Sequence, residues 1–333
     1  MPIDLPLIWA IIIAIAVFMY VFMDGFDLGV GILFRSVPDA DRDVMMDSVA
    51  PFWDGNETWL ILGGGGLLVV FPVAYATILP ALYIPVMFML IALIFRGVAF
   101  EFRAKADRSR WLWDWSFFLG SVLTTFFQGV ILGAFIQGIA VEGRAFVGGT
   151  WDWLTPFSIF TGLALISGYA LLGATWVIMK TEGDLQNWAF SMARRILVVV
   201  IAAAVIVSLW TPFLDDAIFQ RWFSWPNIAL FSPVPLITAG LAFGLVYGVR
   251  HGWEYTPFLM TLGLFLLSYI GLGISVWPNA VPPGVTIWDA AAPDSTLIFM
   301  LVGTVILVPV ILGYTAYNYW VFRGKVRPGQ GYH

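Results

Sequence analysis

The sequence contains no cysteine and only two histidines, His251 and His333. Without cysteine the chain forms no disulfide, thiolate metal site or iron–sulfur cluster. A haem, copper or zinc centre in a membrane enzyme generally needs histidine or cysteine ligands within the helix bundle. His251 instead lies in a loop motif, Arg250-His251-Gly252. We therefore expect no metal and no cofactor ligated by the side chains of this chain.

Charged residues are also scarce, making up 11% of the 333 residues, whereas 60% are hydrophobic. Soluble globular domains carry about 25% charged residues, so this composition predicts an all-α polytopic membrane protein. No loop is long enough for a folded soluble domain, and we expect one integral membrane domain over residues 1–333. The apolar run behind residues 1–6 is too long for a signal peptide and is expected to be an uncleaved first span.

Hydropathy predicts nine segments that are long enough to cross a bilayer, at about 20 residues each. Their predicted bounds are 7–34, 57–77, 79–102, 115–140, 156–180, 190–213, 229–249, 256–277 and 296–322. A tight turn over residues 77–80 is expected between the second and third spans.

The basic residues are distributed unequally between the two sets of loops that these spans define. If the N-terminus is outside, two arginines lie in outer loops, Arg144 and Arg221. Thirteen basic residues then lie at the inner side: Arg35, Arg42, Arg103, Lys105, Arg108, Arg110, Lys180, Arg194, Arg195, Arg250, Arg323, Lys325 and Arg327. The positive-inside rule therefore predicts an outer N-terminus and a cytoplasmic C-terminus.

The first span carries two acids, Asp24 and Asp27, which are its only charged residues. An acid within a span is costly and usually faces a protein interior or a water path. The spacing of three puts both acids on one helix face, and Gly25 and Gly29 favour close helix contact. Arg96 lies at similar depth in the third span and can pair with one acid. We expect one structural and one titrating acid, and the spacing does not assign them.

The next acids, Asp54 and Glu57, come at the inner start of the second span. Together with Asp24 and Asp27 they form a series of carboxylates from the cytoplasm into the membrane, which suits proton relay. The same pair has the spacing of a capping box, with Asp in place of Ser or Thr, so helix capping is an equally good interpretation. In the third span we predict Glu101, like Arg96, to be a buried charge partner.

Four successive glycines, residues 63–66, lie in the second span. Such a run can mark an unwound helix that contacts a ligand, as in transporters. Close helix packing is the commoner reason for glycine in a span, and we favour it.

Several stretches together resemble subunit II of the cytochrome bd-type quinol oxidases. The matching stretches cover nearly the whole chain in family order: DGFDLGVG from Asp24, APFWDGNETWL from Ala50, FRGVAFEFR from Phe95, TPF from Thr155, GAT from Gly173, WDA from Trp288, Pro309 and YTAYNYW from Tyr314. The block WDGN, from Trp53, is the most specific. Short loops and the stretch KTEGDL from Lys180 resemble the cyanide-insensitive branch more than the longer enterobacterial type.

This resemblance implies two four-helix bundles plus one peripheral helix. It implies a heterodimer with a haem-bearing subunit I that holds the b-type haems, haem d and the quinol site, and small accessory subunits in some complexes. No catalytic residue is then expected in this chain, and quinol and dioxygen are substrates of the complex. The resemblance also implies a cytoplasmic proton path with Asp54 at its start and Asp27 or Asp24 deeper. A structural quinone is associated with this subunit in some members.

We therefore expect a subunit of an electrogenic quinol oxidase in the bacterial cytoplasmic membrane, surrounded by lipid and without nucleic-acid partners. A stand-alone proton-coupled transporter would use Asp24, Asp27 and Arg96 as its binding site and the glycine run as a broken helix. A third alternative is a structural scaffold in which no single carboxylate affects turnover.

Overall fold

The computed structural model describes residues 3–327, so His333 lies outside the described residues. The helices in this part are α1 Leu5–Leu33, α2 Asp39–Asp47, α3 Trp53–Val70, α4 Pro72–Ala81, α5 Tyr83–Arg103, α6 Arg110–Gln137, α7 Pro156–Lys180, α8 Gly183–Trp210, α9 Asp216–Phe223, α10 Asn227–Phe231, α11 Pro233–Arg250, α12 Thr256–Val276, α13 Ile287–Ala290 and α14 Asp294–Val321. Two short antiparallel hairpins pair β1 Val141–Glu142 with β2 Ala145–Phe146 and β3 Asn279–Val281 with β4 Val285–Thr286.

The predicted class, an all-α polytopic membrane protein, is confirmed. Within residues 3–327, eight helices or helix runs are long and apolar enough to cross a membrane, and the bent pair α3–α4 brings the number to nine. The predicted bounds agree best at the fifth span, where α7 covers Pro156–Lys180.

The second span departs from the prediction, which ran straight from 57 to 77 and turned at 77–80. The helix instead breaks at Phe71, and α4 leaves α3 at an angle of 118°. Phe71 has φ −124° and ψ 64°, outside the helical region. Proline disfavours helical geometry in the residue before it and fits well at the first position of a helix. Pro72 therefore ends α3 and starts α4, and residues 77–80 are helical.

The long helices form two groups that meet along α7. In the first group α3 packs on α1, α1 on α6, and α6 on α5. The second group is a ring in which α7, α8, α11 and α12 contact one another in turn. Helix α7 joins the groups through α1 and α6, while α14 lies at the side against α1 and α3.

Glycines allow α1 and α7 to cross in backbone contact. A Cβ placed on Gly29 would lie 1.9 Å from the carbonyl oxygen of Tyr169, and one on Gly173 would lie 2.2 Å from the carbonyl carbon of Gly29. Neither position has room for any side chain, which is the packing predicted for the Gly25–Gly29 face. This close crossing fixes the depth and rotation of the α1 segment that carries Asp24 and Asp27.

An ion-pair network fastens α2 to one end of the bundle, which we call the basic end and which contains the start of α3 and the end of α5. Arg103 Nε lies 2.6 Å from Asp114 Oδ1, and Arg103 Nη1 lies 2.7 Å from Asp43 Oδ1. Arg42 also pairs with Asp114, at 2.9 Å, and Arg110 pairs with Asp43. Partial burial raises the pKa of Asp43, but the hydrogen bonds from Arg103 and Arg110 outweigh it and leave this pKa below its usual value.

At the same end, the segment after α14 is held by the last residue of α7. Lys180 Nζ donates hydrogen bonds to the carbonyl oxygens of Phe322 and Gly324, and the Val326 N–H donates to the Lys180 carbonyl at 2.8 Å. A further ion pair joins Lys325 to Glu254 at 2.9 Å. The hydrogen bond from Lys325 lowers the pKa of Glu254. The segment is thereby connected to the ends of α7 and α12.

Candidate functional site

The site lies where the first turn of α3 meets α1 and α5. Trp53 stacks on Phe100 of α5 with ring centroids 4.8 Å apart. Gly97 provides the room, because a Cβ there would lie 3.2 Å from the Trp53 ring. This contact brings the side chain of Glu57, one turn along α3, to the third-span residue Arg96.

Arg96 lies between two carboxylates. Its Nη2 is 2.6 Å from Asp24 Oδ1 and 3.3 Å from Glu57 Oε1. The side chains of Arg96 and Asp24 are 0% and 1% exposed, whereas that of Glu57 is 25% exposed. Among residues 3–327, the Nε and Nη1 of Arg96 and the second oxygen of Asp24 find no hydrogen-bond partner. The charged groups therefore extend from Glu57, which is partly exposed, to Asp24 and Arg96, which are buried.

The second acid of α1, Asp27, is held separately and by a neutral group. Asn56 Nδ2 donates to Asp27 Oδ2 at 2.6 Å and to the Met23 carbonyl at 3.2 Å. Tyr319 of α14 donates its hydroxyl to Asn56 Oδ1 at 3.0 Å. Asp27 is fully buried, and its Oδ1 has no hydrogen-bond partner in the described part of the chain. Asp24 thus has the ion pair and Asp27 the amide, an assignment that the spacing left open.

The capping interpretation of Asp54 and Glu57 is wrong. Helix α3 begins at Trp53 after Phe52 and has no side-chain cap, so Asp54 is already inside the first turn. Its side chain is exposed, and Glu57 is engaged by Arg96 rather than by a backbone N–H. The pair stands three residues apart on one helix face at the basic end, with the outer acid in solvent and the inner acid at the cluster.

The prediction of Glu101 as a buried charge partner is also wrong. Its side chain is 65% exposed and lies 3.6 Å from Lys105, four residues further on. Glu101 is five residues from Arg96, so it projects from a different face of α5, which points away from α1. Of the two charged residues predicted in this span, Arg96 alone joins the site.

The glycine run does not form an unwound segment, because α3 is a continuous helix through residues 63–66. A Cβ on Gly66 would lie 2.5 Å from Ile13 of α1, and one on Gly63 would lie 3.2 Å from Val17. Gly64 and Gly65 face open space. Packing explains two of the four glycines, and the break of this span comes later, at Phe71.

A polar chain that the sequence analysis missed adjoins Asp24 on the side away from Glu57. Tyr20 precedes Asp24 by one turn of α1, and Gln128 of α6 donates its amide to the Tyr20 hydroxyl. Tyr169 of α7 donates its hydroxyl to Gln128 Oε1 at 3.1 Å. Single uncharged polar residues in three separate spans give no sequence signal, and only the fold brings them together. Asn56 and Tyr319 were missed for the same reason, although both lie within stretches that carry the family resemblance.

No group of three or more His, Asp or Glu side chains within residues 3–327 is arranged to hold a metal ion. The site is therefore described by its carboxylates, one arginine and neutral hydrogen-bonding groups. Such a set can accept, hold and release protons.

Comparison with known proteins gives one consistent result. The family model described as cytochrome bd terminal oxidase subunit II matches residues 5–322. Cytochrome bd ubiquinol oxidase subunit 2 of Bacillus subtilis is 30% identical over 330 residues, which cover 96% of each chain. Cytochrome bd-I ubiquinol oxidase subunit 2 of Escherichia coli is 28% identical, covering 97% of this chain and 95% of that protein.

A solved structure of bd oxidase from Geobacillus thermodenitrificans has a chain of similar fold. The TM-score is 0.78 at 16% identity, with 96% of this chain and 99% of that chain covered. The family match covers nearly all of the described residues, and the relatives are subunits of an oxidoreductase complex. This chain belongs to the cytochrome bd terminal oxidase subunit II family.

Proposed function

We propose that this chain supports the haem-bearing subunit I of a bd-type quinol oxidase and delivers protons to it from the cytoplasm. Asp54 collects the proton, Glu57 passes it inward, and the Arg96 cluster with Asp24 and Asp27 holds it next to the partner. The observation that carries this proposal is the graded burial of the four acids: Asp54 is exposed, the Glu57 side chain is 25% exposed, and Asp24 and Asp27 are buried.

The charge count of the cluster supports this role. Asp24, Asp27 and Glu57 are three acids, and Arg96 is the one basic side chain that contacts any of them in the described part of the chain. Burying an unbalanced carboxylate is far more costly than burying its protonated form. The cluster is therefore stable when it binds protons beyond the charge that Arg96 balances, and such protons can be exchanged.

The two buried acids divide this work according to their partners. Arg96 holds Asp24 ionised as a fixed counter-charge, since an opposite charge at this distance favours the charged form. Asp27 has a neutral amide partner and one unpaired oxygen, which suits the acid that gains and loses the proton. In this proposal Asp27 titrates and Asp24 is structural.

The rest of the proposal follows from the family. The b-type haems, haem d and the quinol site belong to subunit I, with quinol and dioxygen as substrates of the complex. The multi-pass chain lies in the bacterial inner membrane with its basic end in the cytoplasm. A structural quinone and small accessory subunits are further components that some complexes of this type contain.

The test is oxygen consumption and proton uptake by the assembled, haem-replete complex carrying Asp54→Asn. A positioned proton-transfer group contributes about 10²- to 10⁴-fold to a rate, so a loss of about tenfold or more is expected. Asp107→Asn is the matched control, because Asp107 is an exposed acid in the loop between α5 and α6 that lies outside the cluster. Parental rates across pH in the Asp54 variant would refute proton delivery through this residue.

A further inference from the structure

Three buried hydroxyls on α6 face the interior without a partner. The side chains of Ser121, Thr124 and Thr125 are completely buried, and none of their oxygens has a hydrogen-bond partner within residues 3–327. This is unusual for the chain, because Thr161 and Thr261 each donate to the carbonyl four residues earlier. We call these three α6 residues the hydroxyl stripe. Their hydroxyls are available to bind a group outside their own helix.

Two contacts fix where this hydroxyl stripe lies relative to α1. A Cβ on Gly31 would lie 2.0 Å from Ser121 Oγ, and Gln128 reaches the hydroxyl of Tyr20. Helix α6 therefore runs antiparallel to α1 between these points, from Gly31 back to Tyr20. Thr124 and Thr125 lie between Ser121 and Gln128, at the level of the two buried acids of α1.

The third wall is α5, which brings the arginine to the same level. A Cβ on Gly120 would lie 3.0 Å from the Arg96 backbone nitrogen, so α6 touches α5 one turn before Thr124. Besides the Asp24–Arg96 ion pair, the atoms at this level that have no partner within residues 3–327 are Asp27 Oδ1, the Nε and Nη1 of Arg96 and the three hydroxyls. Gly120 and Thr124 are four residues apart on one face of α6, so Thr124 is the hydroxyl residue on the side of α5 and Arg96.

Buried polar groups in proteins are almost always satisfied by protein atoms or by ordered water. One buried water makes about three hydrogen bonds, and a site that is polar on several sides is where such water binds. We propose that α1, α5 and α6 enclose a small cluster of ordered water molecules between the hydroxyl stripe and the Asp24–Arg96 pair, and that this cluster shares the exchangeable proton of the buried acids. The second half of this inference rests on the proposed proton delivery, whereas the binding of water does not.

The cluster would extend the proton site away from Glu57. It adjoins the chain Tyr20–Gln128–Tyr169, whose hydroxyls and amide are already joined by hydrogen bonds. Water hydrogen-bonded to Asp24 and the hydroxyl stripe can spread an added proton over several oxygens, because chains of hydrogen bonds polarise one another in a low-dielectric interior. The added proton would then be shared between the buried acids and the water molecules.

The test uses the intact, assembled complex at rest and replaces Thr124 by Val, which keeps the shape and removes the hydroxyl. Thr175→Val is the matched control, since Thr175 is equally buried but already donates to carbonyls of its own helix at 3.0 Å. Infrared difference spectra in H₂¹⁶O and H₂¹⁸O report bound water, and the carboxyl C=O stretch reports the acids. Radiolytic hydroxyl labelling, which requires adjacent water, reports the Tyr20 ring.

We expect the parent and the Thr175 variant to show an ¹⁸O-sensitive water band and labelled Tyr20. The Thr124 variant should lose most of both signals and shift the carboxyl band. An unlabelled Tyr20 and no isotope-sensitive band in the parent would overturn the proposal, and this measurement needs no variant to fold. Water signals that persist together with a parental rate for Asp54→Asn would refute proton delivery while leaving the hydrated site standing.

Discussion

Replacing Arg96 by Met tests whether the buried charge cluster is held by its one arginine. At an effective dielectric constant of about 20, the attraction amounts to about 6 kcal/mol at the 2.6 Å separation from Asp24 and about 5 kcal/mol at the 3.3 Å separation from Glu57. The loss of hydration offsets much of this. Removing one partner of a buried pair still costs about 3–5 kcal/mol, because it leaves the other charge uncompensated.

The second variant removes that uncompensated charge. In Asp24→Asn/Arg96→Met the buried carboxylate is neutralised, and Glu57 can stay hydrated because a quarter of its side chain is exposed. We expect the double variant to be more stable than Arg96→Met alone. Asp24→Asn alone should cost less than Arg96→Met, since Arg96 keeps Glu57. Thermal unfolding of the assembled complex, followed by tryptophan fluorescence, gives the order. Equal transition temperatures for Arg96→Met and the double variant would refute the argument that the arginine stabilises the fold by balancing Asp24.

Two further predictions concern the scaffold around the site. Gly29→Ala should lower the free energy of unfolding by about 1–3 kcal/mol, because its Cβ would lie 1.9 Å from the Tyr169 carbonyl oxygen. Gly64→Ala should leave stability unchanged, because Gly64 faces open space. Thermal unfolding and the yield of assembled complex compare the two variants, and equal values would contradict the backbone crossing. The lowered pKa of Asp43 means that its ion pairs stabilise the fold above about pH 4 and are lost as the pH falls through the lower folded value. Hydrogen exchange in α2 should therefore accelerate on acidification, relative to α12, which has no carboxylate, and unchanged protection of α2 would exclude this role.

The parts of the fold that the sequence predicted are those governed by hydropathy and by isolated charges. Long apolar runs define spans because a bilayer requires them, and Asp24 and Arg96 stood out because charge within a span is rare. The break at Phe71 was missed because both halves of the span are equally apolar. Pro72 by itself does not distinguish a mild kink from a bend of 118°.

The parts of the site that the sequence did not predict depend on contacts between distant segments. Asn56 at the start of a helix is an ordinary residue until Asp27 and Tyr319 are placed on either side of it. Glu101 was wrongly predicted to be buried. The sequence indicates the depth of a residue along α5, but which face of α5 is buried depends on the helices that surround it. The different partners of Asp24 and Asp27 likewise depend on contacts between helices: α5 brings Arg96 to Asp24, and α3 brings Asn56 to Asp27.

The hydrogen bond from Tyr319 to Asn56 joins residues 263 positions apart and has a consequence for biosynthesis. Helix α1, with Asp27, leaves the ribosome first, and its amide partner follows soon after. The hydroxyl that orients this amide arrives only with α14, after all the other described spans have been made. A chain interrupted before α14 would insert most of its helices and yet leave the Asn56 amide without that restraint. The hydrogen-bonded surroundings of Asp27 are therefore complete only after α14 has been synthesised, and a truncated chain would lack them.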